Sequence, residues 1–185
     1  MNSEWQELER AIARYASRVA ATARASLNVL RSIFPGASLQ VYERRQSLPI
    51  GIAPESGGGA VFSVVLYPRW VRFFFLEGIE LDDPQHRLEG SGNQVRSLLI
   101  DADARVFADP YIRNLIAQAE ANSRKDLRSG EGRIVFKSRL LVGEPSKPEG
   151  SARKSTHTDK TGAQTARHSG RSARTGKPQS SRKRR

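Results

Sequence analysis

Residues 73–96, FFFLEGIELDDPQHRLEGSGNQVR, concentrate side chains that can do chemistry. Glu77, Glu80, Asp82, Asp83, His86 and Glu89 place six potential oxygen or nitrogen ligands within thirteen residues. Hard cations take clustered carboxylates, and Fe²⁺ accepts carboxylate together with imidazole. Glu80, Asp83 and His86 are the set that would hold a metal, with iron as the cofactor. Iron is the alternative; the leading reading has no cofactor, only a solvated loop in which Asp82, Asp83 and Pro84 build a turn. The spacing is not that of an EF-hand, and the other two histidines, His157 and His168, lie far downstream.

The end of the same stretch, EGSGNQVR, offers different chemistry. A glycine-rich loop can turn successive backbone N–H groups toward an anion, and an arginine beside it can pair with that anion. Gly90, Gly92, Asn93, Gln94 and Arg96 form this candidate site for an unknown ligand, with Arg87 nearby. It lacks the Gly-Lys-Ser/Thr of a phosphate-binding P-loop. The plain alternative is a loop with two glycines at positive φ leading into a strand. Arg69 and Arg72 share a hairpin with Trp70 and Phe74, where an arginine stacked on the indole has a structural role.

Nucleophilic catalysis has little to build on. There is no cysteine and no Gly-x-Ser-x-Gly, and His86 is the one histidine before residue 157. A binding protein is therefore the reading, with a small hydrolase or transferase of unknown substrate as an alternative.

Charge supplies a second function class. Residues 144–185 hold 12 Lys+Arg and 3 Asp+Glu; the whole chain holds 31 and 19, which leaves 19 and 16 for residues 1–143. The net of +12 thus divides into +3 and +9. Arg153, Lys154, Lys160, Arg167, Arg171, Arg174, Lys177, Arg182, Lys183, Arg184 and Arg185 are spaced by Ser, Thr, Gly and Ala, with no aromatic residue between them. Such a segment suits nonspecific contact with DNA or RNA phosphates and lacks the rings that stack on bases. It has no apolar side chain larger than alanine to offset an ordering entropy of ~1–2 kcal/mol per residue, so it is expected to be disordered.

The elements that must position the first cluster are legible. Trp5, Leu8, Ile12, Tyr15, Val19, Ala23, Leu27, Leu30 and Phe34 recur at steps of three and four, which predicts a helix over 3–34 ended by Pro35-Gly36. Ser3 with Gln6 fits a capping box. Such a rod would be roughly 48 Å long, against a diameter of about 37 Å for the domain. It must therefore bend, break or overhang. The small-residue run Ala20–Ser26 is the expected place for a break or a close crossing. An overhanging stripe would call for a second copy of the chain, so monomer and homodimer both stay open.

Strands are expected at 39–43, 48–53, 60–67, 70–76, 95–100 and 133–142. Pro49 suits a sheet edge or a strand start. AVFSVVLY and WVRFFFL flank a turn at Pro68-Arg69, and their nearly continuous apolar character predicts cover on both faces. Asp109 and Pro110 open a second helix with Ile112, Leu115, Ile116 and Ala119 on one side. The sum is an α+β fold: a long N-terminal helix and a second helix packed on a mostly antiparallel sheet over residues 1–143, followed by the basic tail at 144–185. The absence of cysteine permits a reducing compartment. MNSEWQELER does not open like a secretory signal, and no apolar stretch reaches the ~20 residues of a membrane span. The expectation is a cytoplasmic protein with no membrane partner.

Residues 66–96 also resemble the YdhG-like domain family, a domain of unknown function. The resemblance rests on Tyr67-Pro68-Arg69-Trp70, the phenylalanines after it, and Gly78, Leu81, Asp83 and Pro84 as Gly-x-x-Leu-x-Asp-Pro. Leu88 to Arg96 match as Leu-x-Gly-x-Gly ending in Val-Arg, and the late GRIVFKS looks like a closing strand. The chain departs from the family after the first strand, at VYERRQSL, where only Tyr42 and Glu43 compare. The resemblance covers roughly residues 8–140. It implies a compact α+β domain, and through one branch a frataxin-like iron chaperone.

Overall fold

The stripe that reads as one helix is a helical hairpin. In the computed structural model, which describes residues 3–139, α1 spans Ser3–Ala13 and α2 spans Ser17–Ile33. The chain reverses at residues 14–16, where Ala16 adopts φ −52° and ψ 143°. Two pairs across the hairpin fix its sense. The Arg31 guanidinium lies 4.2 Å from the Trp5 ring centroid, and Arg24 Nε lies 2.8 Å from a Glu9 carboxylate oxygen.

The break therefore falls before the run expected to contain it, and the reason is packing. Helices of about 17 and 25 Å fit the domain, and folding one back on the other buries both halves of the stripe. Leu8, Ile12, Val19, Ala23, Leu27 and Leu30 are all buried. No overhang remains, so the ground for invoking a second copy lapses. The run Ala20–Ser26 is instead a close crossing: Ala20, Thr22, Ala23 and Ser26 are buried, and the Thr22 hydroxyl donates to the Ala102 carbonyl at 3.1 Å. At the N-terminus the Ser3 hydroxyl donates to Glu4 at 3.3 Å.

Six strands follow the expected segments: β1 Ser38–Tyr42, β2 Leu48–Ala53, β3 Phe62–Leu66, β4 Val71–Phe75, β5 Arg96–Leu99 and β6 Ile134–Ser138. Their order is β5-β4-β3-β2-β1-β6. Every pairing is antiparallel except β1 with β6. Pro49 stands on an interior strand, because β2 lies between β1 and β3. It is tolerated as a strand start: β1 pairing ends at Val41 with Ile50, so no β1 partner needs the missing N–H.

Register places Leu39, Ile52, Phe62 and Phe75 in one row, with Val41, Ile50, Val64, Phe73 and Leu98 beside it. This face meets the helices through a cluster of rings. Phe62 stacks on Phe34 and Phe73, and Phe73 meets Phe75 and Phe107 edge-on, with centroids 5.0–5.4 Å apart. Such pairs add about 0.5–1.5 kcal/mol each beyond the area they bury.

The opposite face is not uniformly covered. β3 is buried throughout, but β4 alternates, with Arg72 and Phe74 only half-buried. The face is polar where it is closed: Ser38, Gln40, Ser63 and Ser97 are buried. Gln40 donates to the Gly58 carbonyl at 3.3 Å, which ties the 54–61 loop down. Among the described residues no buried side-chain nitrogen or oxygen lacks a partner.

The second helix, α3, spans Pro110–Ser123, and the Asp109 carboxylate caps it by accepting from Tyr111 N–H at 2.9 Å. Ile112, Leu115 and Ile116 are its buried stripe. The chain divides into two units, Met1–Glu144 and Pro145–Arg185. The basic residues from Arg153 to Arg185 and the strand extension over 140–142 lie outside the described residues. No helix among the described residues is long and apolar enough to cross a membrane.

Candidate functional site

The loop between β4 and β5 is strapped onto α3 by polar side chains. Asp82 N–H donates to Gln118 Oε1 at 3.0 Å, Gln85 N–H to the Tyr111 hydroxyl at 3.1 Å, and Asn122 Nδ2 to the Glu80 carbonyl at 3.5 Å. Positions 111, 118 and 122 share one helical face. Arg87 adds an ion pair with Asp109, Nη2 to Oδ2 at 3.1 Å, at the start of the same helix.

Asp83 is the hub of the loop. Its Oδ1 accepts from Arg87 N–H at 3.1 Å and from the Tyr111 hydroxyl at 2.6 Å. Its Oδ2 accepts from Leu88 N–H at 2.9 Å. Burial pushes the Asp83 carboxyl up, but the Tyr111 hydroxyl, the Leu88 and Arg87 amides and the nearby His86 together hold it below its ordinary value. Burial and the Asp83 carboxylate raise the Tyr111 phenol, which stays a neutral donor.

The second half of the loop closes on Arg96. Glu89 and Ser97 exchange two backbone hydrogen bonds, at 2.7 and 2.8 Å. Arg72 Nη2 pairs with Glu89 Oε2 at 2.7 Å. Arg96 Nη1 donates to the Gly92 carbonyl at 2.5 Å and to the Val95 carbonyl at 2.9 Å, so the loop wraps its own arginine. Gly90 has φ 137°. Gly92 is not among the positive-φ residues, so one of the two glycines is left-handed rather than both. Gly78 serves another purpose: a Cβ there would lie 2.5 Å from Arg96 Cβ.

These features leave a polar concavity of about 330 Å³, lined by Gly78, Asp83, His86, Gly90 and Arg96 among others. The two candidate sets thus share one hollow, each in part. Glu80, Asn93 and Gln94 are exposed and do not line it, and Gly92 enters through its carbonyl bond to Arg96. The metal set fares poorly as geometry. Asp83 spends both oxygens on loop amides and the Tyr111 hydroxyl of α3, and His86 is exposed with φ 51°. Among the described residues no group of three or more Asp, Glu or His could hold a metal ion. Arg69 lies over Trp70, 5.1 Å from the ring centroid, as a structural stack would.

A second hollow, of about 320 Å³, has no counterpart in the sequence reading. The turn at 14–16 forms one wall, the β1–β2 turn at 43–47 another, and Pro68 a third. Arg14 Nη2 is ion-paired with Glu43 Oε1, and Arg44 N–H donates to the Ser47 carbonyl at 3.0 Å. Burial is the main influence on the Tyr15 phenol, raising it and keeping it a neutral hydroxyl. The arginine pair at 44–45 was the available signal, but nothing in sequence joins it to Arg14.

No family model, no curated protein and no solved structure matches the chain.

Proposed function

We propose that this chain is a non-enzymatic binding protein of YdhG-like type. In this reading the domain offers the 78–96 hollow to a small polar ligand or partner, while residues 144–185 give nonspecific, salt-sensitive affinity for DNA or RNA. The observation that carries the nucleic-acid part is charge segregation: a net +9 in residues 144–185 against +3 in the rest. If six to ten of those cations neutralise phosphates, counterion release weakens binding by ~10³–10⁵ between 50 and 200 mM salt. Support for the ligand part is the convergence of Arg96, Asp83 and His86 on one hollow. A cytoplasmic setting completes the proposal, in keeping with a chain free of cysteine.

Deleting residues 144–185 tests it. The buried core runs from Leu8 to Ile134, so the melting temperature should stay within about 2 °C, less than the shift from ~1 kcal/mol. Retention on immobilised DNA or RNA at low salt should disappear. A shortened chain that still holds nucleic acid as well as the full one defeats the reading.

A further inference from the structure

The hollow at 78–96 is built around one arginine. A Cβ at Gly78 would lie 2.5 Å from Arg96 Cβ and 2.9 Å from its Cγ, and a Cβ at Gly90 would lie 3.6 Å from its Cδ. Two glycines thus leave the room that the arginine stem fills. At the far end, Nη1 donates to the Gly92 and Val95 carbonyls at 2.5 and 2.9 Å. A guanidinium presents its N–H donors in a rigid plane. With Nη1 engaged, the Nε–Nη2 edge is left, and that edge is a fork which a carboxylate accepts with both oxygens. Arg96 lines the hollow, and no ion pair among the described residues includes it. Its neighbours are spoken for: Glu89 pairs with Arg72, and Arg87 with Asp109.

Resting on the reading of this hollow as a ligand site, we infer that it binds a small hydroxylated monocarboxylate of sugar-acid type, with the ligand's carboxylate on the Nε–Nη2 edge of Arg96 and its hydroxyls along the wall. Charge selects the anion. The wall carries one guanidinium, with the Asp83 carboxylate beside it, and Glu80 and Asp82 stand in the same loop. Arg96 matches a single negative charge. A phosphomonoester, at about −1.5 to −2 at neutral pH, would set its excess charge against those carboxylates. Polarity selects the body of the ligand. Ile79, Leu81 and Leu88 border the hollow, yet its open surface is almost wholly polar, and the His86 imidazole is a partner for hydroxyls. The volume of about 330 Å³ lies at the lower end of the ~300–1,000 Å³ range of small-molecule sites, which suits a sugar-sized molecule. Because the arginine is held at its stem and at Nη1 before any ligand arrives, binding does not have to order it.

Backbone amide spectra of the full chain at 150 mM salt, titrated with glucuronate, its neutral amide, glucose and a glucose phosphomonoester, test this. The expected result is saturable movement of the residue 86–97 signals with glucuronate, and at least tenfold weaker binding of the other three. Arg96→Lys keeps the charge but removes the fork, and should weaken glucuronate binding at least tenfold. Arg105→Lys alters a cation paired with Asp103 outside the hollow and should bind as the unmodified chain does. The comparison of the four probes needs no variant, so it decides the ligand class even if Arg96→Lys fails to fold. Glucose or the phosphomonoester binding as tightly as glucuronate overturns the carboxylate but leaves the hollow a ligand site. Undiminished binding in a folded Arg96→Lys, or an equal loss in Arg105→Lys, overturns the fork. No movement of these signals with any probe defeats both the inference and the ligand reading beneath it.

Discussion

The sharpest consequence of the loop geometry concerns Asp83. Replacing it with Asn keeps the shape but removes the charge, and sets an N–H₂ against a donor that in the wild type meets an oxygen. Three contacts are affected: Arg87 N–H at 3.1 Å, Leu88 N–H at 2.9 Å and the Tyr111 hydroxyl at 2.6 Å. A hydrogen bond to a charged acceptor contributes about 1.5–3 kcal/mol, but this carboxylate is only half-buried, and solvent screening reduces that. A total loss of roughly 2–3 kcal/mol follows, or about 6–10 °C in melting temperature for a domain of this size. Urea unfolding of both proteins from pH 7 to pH 2.5 is the assay. The folded-state carboxyl lies below its ordinary value of 3.8. Its stabilisation is therefore complete above the unfolded value and disappears as pH falls through the folded one. The gap between wild type and Asp83→Asn should hold steady from pH 7 to about 5 and narrow below 3.8. Asp109 and Asp126 are also held low, so both proteins weaken in acid, but those contributions cancel in the difference. A gap below about 0.5 kcal/mol at pH 7, which is the scale of a neutral surface change, would refute the hub. So would a gap that persists unchanged at pH 2.5.

Gly78→Ala should cost about 1–3 kcal/mol as an overpacking change, because its Cβ would lie 2.5 Å from Arg96 Cβ and 2.8 Å from Arg96 N. Gly92→Ala, with nothing within 4 Å, should be close to neutral, and the two are read by the same denaturation curves. Ala23→Leu inserts bulk where α2 is fully buried and should likewise lower the urea midpoint by about 1–3 kcal/mol equivalent. A fully stable Ala23→Leu protein would mean that the helical hairpin packs more loosely than described.

How far the sequence foretold this architecture depends on which physical signal each element used. The start of α3 was legible to the residue: Asp109 and Pro110 are local capping chemistry, and both do what their types allow. The strands were legible because alternation and β-branched runs are also local, and the parallel return of β6 to β1 was the part that no local pattern carries. The hairpin turn at 14–16 escaped because an unbroken three-four spacing is the same for one helix as for two in phase. No glycine or proline marks residues 14–16; the reversal is set by the sheet beneath, which both halves must cover.

The candidate loop shows the same division more sharply. Its residues drew notice as ligands because carboxylates, imidazole and glycines are what ligand sites contain, and one hollow does collect Asp83, His86, Gly90 and Arg96. Yet the side chains that give the loop its shape, Tyr111, Gln118 and Asn122, had no role in the sequence reading. A polar stripe on a helix is ambiguous in sequence, since water and a neighbouring backbone are equally good partners for it. Asp83 is ambiguous in the same way: an aspartate that accepts two hydrogen bonds from its own loop and one from Tyr111 of α3 looks the same in sequence as one that binds a metal. What separates the two is the count of lone pairs left over. By that count the loop's chemistry passes from Asp83 to Arg96, whose Nη1 is tied to carbonyls while its positive charge has no carboxylate in salt-bridge range among the described residues. The hollow is accordingly better suited to the negative end of a ligand than to a cation.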